Sequence, residues 1–328
     1  MKYKKNEFFF LNFFLTPTFE TNVKETKNIQ HMLTIDPKEI TVPKLHHYLL
    51  GAVGPRPICF ASTVDENGVS NLAPFSFFNV FSANPPIAVF SPARSGRTGA
   101  AKDTYNNLKK VPEVVINIVN FPMVHQMSLA SSPYAPEVDE FVKAGFTKVK
   151  SDLVKPYRVK ESPVQMECRV NQIIELGDAG GAGNLIVCEV IKIHISESVL
   201  DAEGMIDQKK IDLVARMGGN WYCRANEHAM FEIEKPITTC GVGVDCIPED
   251  IRNSKVLTGN NLGQLGNIEE LPNETDVNEY KLTELSEFFI QYEGRAQELE
   301  MELHQRAKLL LDENKVREAW MTLLAFNN

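Results

Sequence analysis

Between Pro57 and Ile195 the chain is a succession of short apolar, β-branched runs interrupted by turn residues, and this alternation restricts the possible folds more than any single motif does. Runs at 57–64 and 69–75 flank Asp65-Glu66-Asn67-Gly68, whose Asn-Gly pair predicts a hairpin. Further strands are expected over 77–82, 87–91 and 114–119, with Pro85-Pro86 separating the first two because proline cannot serve a central strand. Two long strands, 163–176 and 184–195, are joined by Gly177-Asp178-Ala179-Gly180-Gly181-Ala182-Gly183. A dinucleotide-binding loop of that composition would lead into a helix. Here Leu185 to Val190 is another strand, so the glycines read as a flexible hairpin connection. Many short strands with turns at modest spacing point to a closed or split β-barrel and away from a parallel Rossmann sheet.

Helices flank this β region. Asp36-Pro37-Lys38-Glu39 predicts a helix start within 35–50, and helical segments are expected over 122–130 and 138–144. Past Pro236 the character changes, with Thr258 to Asn267 reading as a polar, glycine-rich connector. Leu282, Leu285, Phe289, Tyr292, Ala296, Leu299 and Leu303 then recur at steps of three and four, with Leu310 in phase. That spacing predicts one apolar stripe on a helix, weakened at Gly294 by about 1 kcal/mol relative to alanine. Such a helix suits docking on its own barrel or on a partner subunit, and at so few heptads suits a free coiled coil less well. Asp312-Glu313-Asn314 is expected to break the run before a short final helix containing Trp320. The fold class is therefore mainly β with flanking helices (α+β). The domains expected are a disordered or non-native leader over 1–31, a barrel domain over 32–236 and a C-terminal extension over 237–328.

The leader has a basic start, Met1 to Lys5, and an apolar run, Phe8 to Leu15. Asn12 interrupts that run, which is too short to span a bilayer and has no small-x-small cleavage site, so a tail or an upstream start ahead of Met32 is expected over an export signal. No membrane association is expected. A net charge of −9 argues against a nucleic-acid surface. The six cysteines, at 59, 168, 188, 223, 240 and 246, form no CxxC pair, which favours reduced thiols in a cytoplasmic protein. His46 and His47 are adjacent and the other histidines stand alone, so no metal site is expected.

Against that acidic background, Ser91-Pro92-Ala93-Arg94-Ser95-Gly96-Arg97-Thr98-Gly99 and Lys102-Asp103-Thr104-Tyr105 place two arginines, a lysine and several hydroxyls just beyond a strand. Arginine offers a planar fork, lysine a point charge, and hydroxyls and turn amides fill in around an anion. Asp103 is a candidate N-cap for a helix over 104–110, whose N-terminus would favour the same anion. An ordinary solvated basic loop has the same composition. No Ser-His-Asp order or paired-carboxylate motif competes for a catalytic role. His125, alone beyond a strand, fits a structural residue. Trp221 and Tyr222 suit a barrel end or an interface equally.

The stretch from Pro55-Arg56-Pro57 through Asn71-Leu72-Ala73-Pro74-Phe75-Ser76-Phe77-Phe78, taken with the Ser91 to Thr104 loop, resembles the flavin reductase-like, FMN-binding split-barrel family over about 45–248. The resemblance implies an FMN-binding split β-barrel, and the C-terminal helical extension read from the periodicity lies beyond the usual family core. It implies that Ser91, Arg94, Arg97, Lys102, Asp103 and Thr104 hold the flavin phosphate. Asn71, Leu72, Ala73, Pro74, Phe75 and Ser76 would line the ring edge, where Pro74 is expected to end regular pairing and free neighbouring amides. Phe77, Phe78 and Phe81 are candidate walls, at least one of them core. FMN is implied in preference to FAD, with NAD(P)H as electron donor, a homodimer with flavin at its interface, and an electron-acceptor protein as a further partner. Because hydride transfer depends on proximity and alignment, no catalytic side chain is named. A flavoredoxin-like electron carrier and a non-catalytic flavin-binding protein are the alternatives.

Overall fold

The computed structural model describes residues 32–233 and 235–327, and seven of its strands form one large sheet. They are β1 (Cys59–Val64), β2 (Ser70–Phe75), β3 (Phe78–Ala83), β4 (Pro86–Phe90), β5 (Glu113–Ile118), β8 (Val164–Glu175) and β9 (Asn184–Ile195). They pair in the order β2-β1-β5-β8-β9-β4-β3. Every neighbouring pair is antiparallel. Two small ribbons complete the β structure, β6 (Lys148–Val149) with β7 (Arg158–Val159), and β10 (Leu213–Arg216) with β11 (Tyr222–Ala225).

Strands β2 and β3 are the two edges of the large sheet, yet only Ser76 and Phe77 separate them in the chain. Three Cα–Cα steps reach about 11 Å at full extension, so the sheet must curl until its edges nearly meet. Because the two edges are not hydrogen-bonded partners, the barrel stays split along that seam. All six residues of β1 are buried. Cys59 and Ala61 pack inward with Phe90, Ile116 and Ile186. Phe60, on the opposite face, packs with Leu72, Met127 and Phe141 beneath α3 (Val124–Leu129) and α4 (Glu140–Ala144). The period of two survives, but helices cover the second face.

Several local expectations change. The first hairpin forms, but only Gly68 takes a positive φ, +83°, while the Asp65 carboxylate accepts the amides of Asn67 and Val69 at 2.9 and 2.7 Å. Pro74 does not end the pairing: β2 stays in register with β1 as far as Phe75. The Leu72 amide points away from β1, to Glu140, so Pro74, two residues on, stands where an edge strand needs no N–H. Pro86 opens β4, an interior strand, but pairs only with Ala83; pairing to β9 begins at Ile87. The first helix, α1 (Val42–Ala52), starts later than the Pro37 signal predicts, with Pro43 in its first turn. Cys59, Cys168 and Cys188 are buried, Cys223 is half-buried, and Cys240 and Cys246 are exposed; all six are free thiols.

The chain divides into two compact units, Met1–Met230 and Phe231–Asn328. The second is helical and has its own core. Thr258 to Asn267 is not a connector but carries α7 (Gly259–Leu265): Thr258 and Asn261 cap each other's backbone amides, which offsets the poor helix propensity of Gly and Asn. The single amphipathic helix divides into α8 (Glu274–Glu284), α9 (Ser286–Gln291) and α10 (Ala296–Asp312): Leu285 leaves helical geometry at φ −120° and ψ −2° between the first two, and Gly294 adopts φ +74° between the last two. Asn314, at φ 59°, ends the run before α11 (Val316–Leu324), whose buried Trp320 donates to the Leu265 carbonyl at 3.0 Å. Short helical turns α5 (Gln208–Ile211) and α6 (Glu249–Arg252) account for the remaining α-helix apart from α2 (Asp103–Lys110). Among the described residues no helix is long and apolar enough to cross a membrane.

Candidate functional site

The loop leaving β4 is stitched to the glycine-rich β8–β9 connection. The buried Ser91 hydroxyl accepts the Asn184 amide at 3.0 Å, and the Asn184 side chain donates to the Pro92 carbonyl at 2.9 Å. The Arg94 amide donates to the Ala182 carbonyl at 2.8 Å, and the Gly181 amide returns to the Arg94 carbonyl at 3.1 Å. A Cβ on Gly180 would lie 3.0 Å from the Ser95 carbonyl oxygen, and one on Gly183 would lie 2.8 Å from the Ser91 hydroxyl. The glycines therefore serve close backbone approach and not flexibility. Beyond Arg94 the loop closes on itself, Ser95 and Ala100 pairing at 2.9 Å and the Gly99 amide reaching the Ser95 carbonyl at 2.8 Å.

This scaffold presents cations that the protein does not answer. Arg97 and Lys102 are exposed, and among the described residues neither side chain has an ion pair or hydrogen bond. Arg94 reaches the Gly99 carbonyl with one terminal nitrogen at 3.4 Å, but its Nε is buried with no acceptor. Next to it, Glu175 is held below the usual carboxylate range by the Tyr105 hydroxyl and then by Lys109, with Arg94 adding to the effect. Helix α2 begins here, one residue earlier than expected. Lys102 occupies the N-cap, no side chain caps the end, and Asp103 lies in the first turn instead. Asn106 donates back to Lys102, which leaves the amides of Asp103, Thr104 and Tyr105 without acceptors among the described residues.

The strand from Asn71 to Ser76 is arranged differently. Asn71 Nδ2 and the Leu72 amide both donate to the buried Glu140 carboxylate, at 3.1 and 3.0 Å. Thr104 donates its hydroxyl to Asn71 Oδ1 at 2.7 Å, so neither side chain faces solvent. Burial pushes the Glu140 carboxyl up, against the lowering effect of the hydrogen bonds it accepts. Leu72 is core, Ala73 pairs with Ala61, and Phe75 packs on Phe90 with ring centroids 5.6 Å apart. Half-buried Ser76 accepts from Arg56 Nε at 3.5 Å. Arg56, set between two prolines, carries no signal of a role in its sequence surroundings. It is 5% exposed and donates to the carbonyls of Leu50 at 2.8 Å and Met217 at 2.9 Å, and to that of Val53. It thus ties the end of α1 and the residue after β10 to the end of β2.

Of the three phenylalanines, Phe78 packs on the barrel core while Phe77 and Phe81 are exposed. His125 is exposed on α3. Trp221 and Tyr222 stand exposed on the β10–β11 hairpin, with Arg216 stacked 4.5 Å from the Tyr222 ring. One cluster escapes the sequence because the β8–β9 pairing and the loop between β6 and β7 assemble it from distant residues. Glu167, Asp152 and His194 bring ligand-type atoms together. Every oxygen of Glu167 is already engaged, by the amides of Asp152 and Leu153 at 2.9 and 2.6 Å and by His194 at 2.7 Å, and Asp152 pairs with Lys192. Burial acts to raise the Glu167 carboxyl but is outweighed by these contacts, which hold it below its ordinary range.

Around α2 the donors exceed the acceptors: an orphaned guanidinium nitrogen, two unpaired cations and three open amides. That set fits a phosphate-type anion. Comparison with known proteins runs the same way. The flavin reductase-like domain family matches residues 53–212. An uncharacterised protein of Halalkalibacterium halodurans is 33% identical over 206 residues, covering 62% of this chain and 97% of its own length. The structure of nitrilotriacetate monooxygenase component B from Bacillus cereus is similar with a TM-score of 0.58 at 31% identity, covering 62% of this chain and 99% of that one. The 2-nitrobenzoate 2-nitroreductase of Pseudomonas fluorescens shares the fold, with a TM-score of 0.55 at 24% identity over 64% of this chain and all of the other.

Proposed function

The chain belongs to the flavin reductase-like family of flavin-related oxidoreductases, and from that premise we propose that it is an FMN-dependent reductase. It takes electrons from NAD(P)H and passes them to free flavin or to a protein acceptor. The observation that carries this reading is the buried, unpartnered Arg94 Nε on the loop that also bears the unpaired Arg97 and leads to Lys102 at the uncapped start of α2. A single cluster of this kind matches one terminal dianionic phosphate, as in FMN, better than a diphosphate bridge inside FAD.

Bound flavin supplies the two-electron redox chemistry. The chain's own residues bind and orient. Arg94, Arg97 and Lys102 hold the phosphate with the α2 amides, Ser91 and the glycine connection hold the loop, and the backbone of Ala73 to Ser76 borders the ring. No side chain is assigned as acid or base, since alignment of donor and acceptor carries the hydride step. Likeness to a monooxygenase component supports a protein as the electron acceptor. Exposed Phe77, Val80 and Phe81 along the open seam support a second copy of the chain covering that edge, and the free thiols support a cytoplasmic setting.

The visible absorption spectrum of the purified chain, followed by NAD(P)H oxidation on addition of FMN, tests the reading. Flavin absorbance and FMN-dependent oxidation are expected. Bound flavin that NAD(P)H does not reduce would indicate an electron carrier, and failure to bind FMN at all would remove the proposal.

A further inference from the structure

A line of buried hydrogen bonds runs from the middle of edge strand β2 to the first turn of α2, and each group in it has a fixed sense. The Leu72 amide can only donate, and it reaches Glu140 Oε2 at 3.0 Å. The other carboxylate oxygen, Oε1, lies 3.1 Å from the Asn71 amide group. An ionised carboxylate can only accept, so it turns the nitrogen of Asn71 toward itself and the oxygen toward α2. That oxygen then accepts the Thr104 hydroxyl at 2.7 Å and the Thr63 hydroxyl at 3.4 Å, and Thr63 in turn accepts from Asn107 at 3.2 Å. Water has little access: Glu140 is 7% exposed, Asn71 8% and Thr104 1%. The charged neighbours are Asp139, which precedes Glu140, and Lys148, which pairs with Asp139 and donates to Ser70 at 2.8 Å.

Thr104 is the second residue of α2 and carries one of its three open amides. With its hydroxyl proton directed at Asn71, Thr104 has no side-chain proton to donate to a ligand. What it contributes is the placement of its own backbone. We infer that Glu140 is a positioning residue for anion binding: through Asn71 and Thr104 it sets the first turn of α2, and with it the open amides of Asp103, Thr104 and Tyr105, against the barrel. The inference rests on the flavin reading above and extends it to a residue more than 30 positions from the loop.

The donor–acceptor order can be reversed as a test. In Glu140→Gln, a nitrogen faces the nitrogen of Asn71. In Asn71→Asp, a carboxylate faces the Glu140 carboxylate. In the double variant, the introduced glutamine accepts the Leu72 amide and donates to the introduced aspartate, which still accepts Thr104 and Thr63. Every bond is then restored, and only the one between residues 71 and 140 has its sense exchanged. FMN is titrated by quenching of its fluorescence, and the melting temperature of each variant is recorded alongside. Glu140→Gln should weaken FMN binding about five-fold and Asn71→Asp at least about ten-fold, while the double variant should return to within about two-fold of the unaltered chain. Losses that simply add in the double variant would overturn the inference. So would melting temperatures that fall and recover while FMN affinity stays constant, since that would make the network a matter of folding alone. If the unaltered chain binds no FMN, the flavin reading falls and this one with it; if it binds and the swap gives no rescue, only this one falls.

Discussion

The loop from Ser91 to Lys102 and the strand from Asn71 to Ser76 both carry polar side chains and use them in opposite ways. In the strand, every side-chain donor and acceptor of Asn71 is met inside the protein, and Ser76 answers Arg56. In the loop, backbone groups meet each other and the glycine connection, while Arg97, Lys102 and the Arg94 Nε are left over. The difference teaches where a ligand can act. A buried polar group without a partner is costly, so a folded chain answers such groups wherever it can. The buried Arg94 Nε is such a group, left unanswered as the Asn184 Oδ1 of the adjoining connection is, and with the exposed Arg97 and Lys102 on the same stretch it marks the loop as the place for an anion.

The contrast is sharpest where it should break hardest. Asn71→Ala strips Thr104, Thr63 and Glu140 of a shared partner, and should destabilise the fold by about 2–4 kcal/mol in urea unfolding. A loss under about 1 kcal/mol would mean that the strand network is not the closed system described. Arg97→Ala and Lys102→Ala, on the loop side, should each weaken FMN binding by roughly 1–3 kcal/mol and leave the unfolding midpoint where it was. Unchanged affinity in both would erase the distinction between the two regions. Gly180→Ala joins them: its new Cβ presses on the Ser95 carbonyl, so FMN affinity should drop by about 1 kcal/mol. Gly177→Ala, whose Cβ meets only Ala182 in its own connection, should bind as before.

The smallest effect concerns two buried glutamates. Glu140, raised by burial, keeps its proton in the folded state to higher pH than in the unfolded chain. Its contribution is therefore most favourable in acid and declines as pH rises from the ordinary glutamate value of 4.5 through its raised one. Glu167 is depressed despite its burial, because two amides and His194 favour its charged form; its contribution is complete above 4.5 and is lost as pH falls below that value. Glu140→Gln should flatten the first slope of stability against pH and Glu167→Gln the second, in equilibrium unfolding measured from pH 3 to 8. Slopes unaffected by either change would refute the assignment.

Much of this was legible in the residues. Asn184 to Ile195 forms a strand with the expected ends, the Asp65 to Gly68 turn closes a hairpin, and Trp320 lies in the short last helix. Errors came where a local rule met a distant partner. Pro74 looked like a terminator but sits on an edge where its missing N–H is not needed. Thr258 to Asn267 looked like a connector because propensity is weak beside a capping box. The stripe from Leu282 to Leu303 matched one helix, yet Gly294 turns the chain between two.

Alternating short apolar runs, fixed in order by their turn residues, settle on their own that this protein builds an antiparallel barrel with a cation-bearing loop at one strand end. Those are properties of near neighbours, and periodicity and turn chemistry record them. Which cations stay free, why Gly180 and Gly183 must lack side chains, and what Asn71 and Thr104 do with their protons depend on groups up to about a hundred residues away. The pairing of β4 with β9 brings Ser91 to Asn184, and the packing of α4 on β2 brings Glu140 to Asn71. Hydrogen-bond satisfaction is a balance over the whole fold, and no stretch of sequence contains both sides of it.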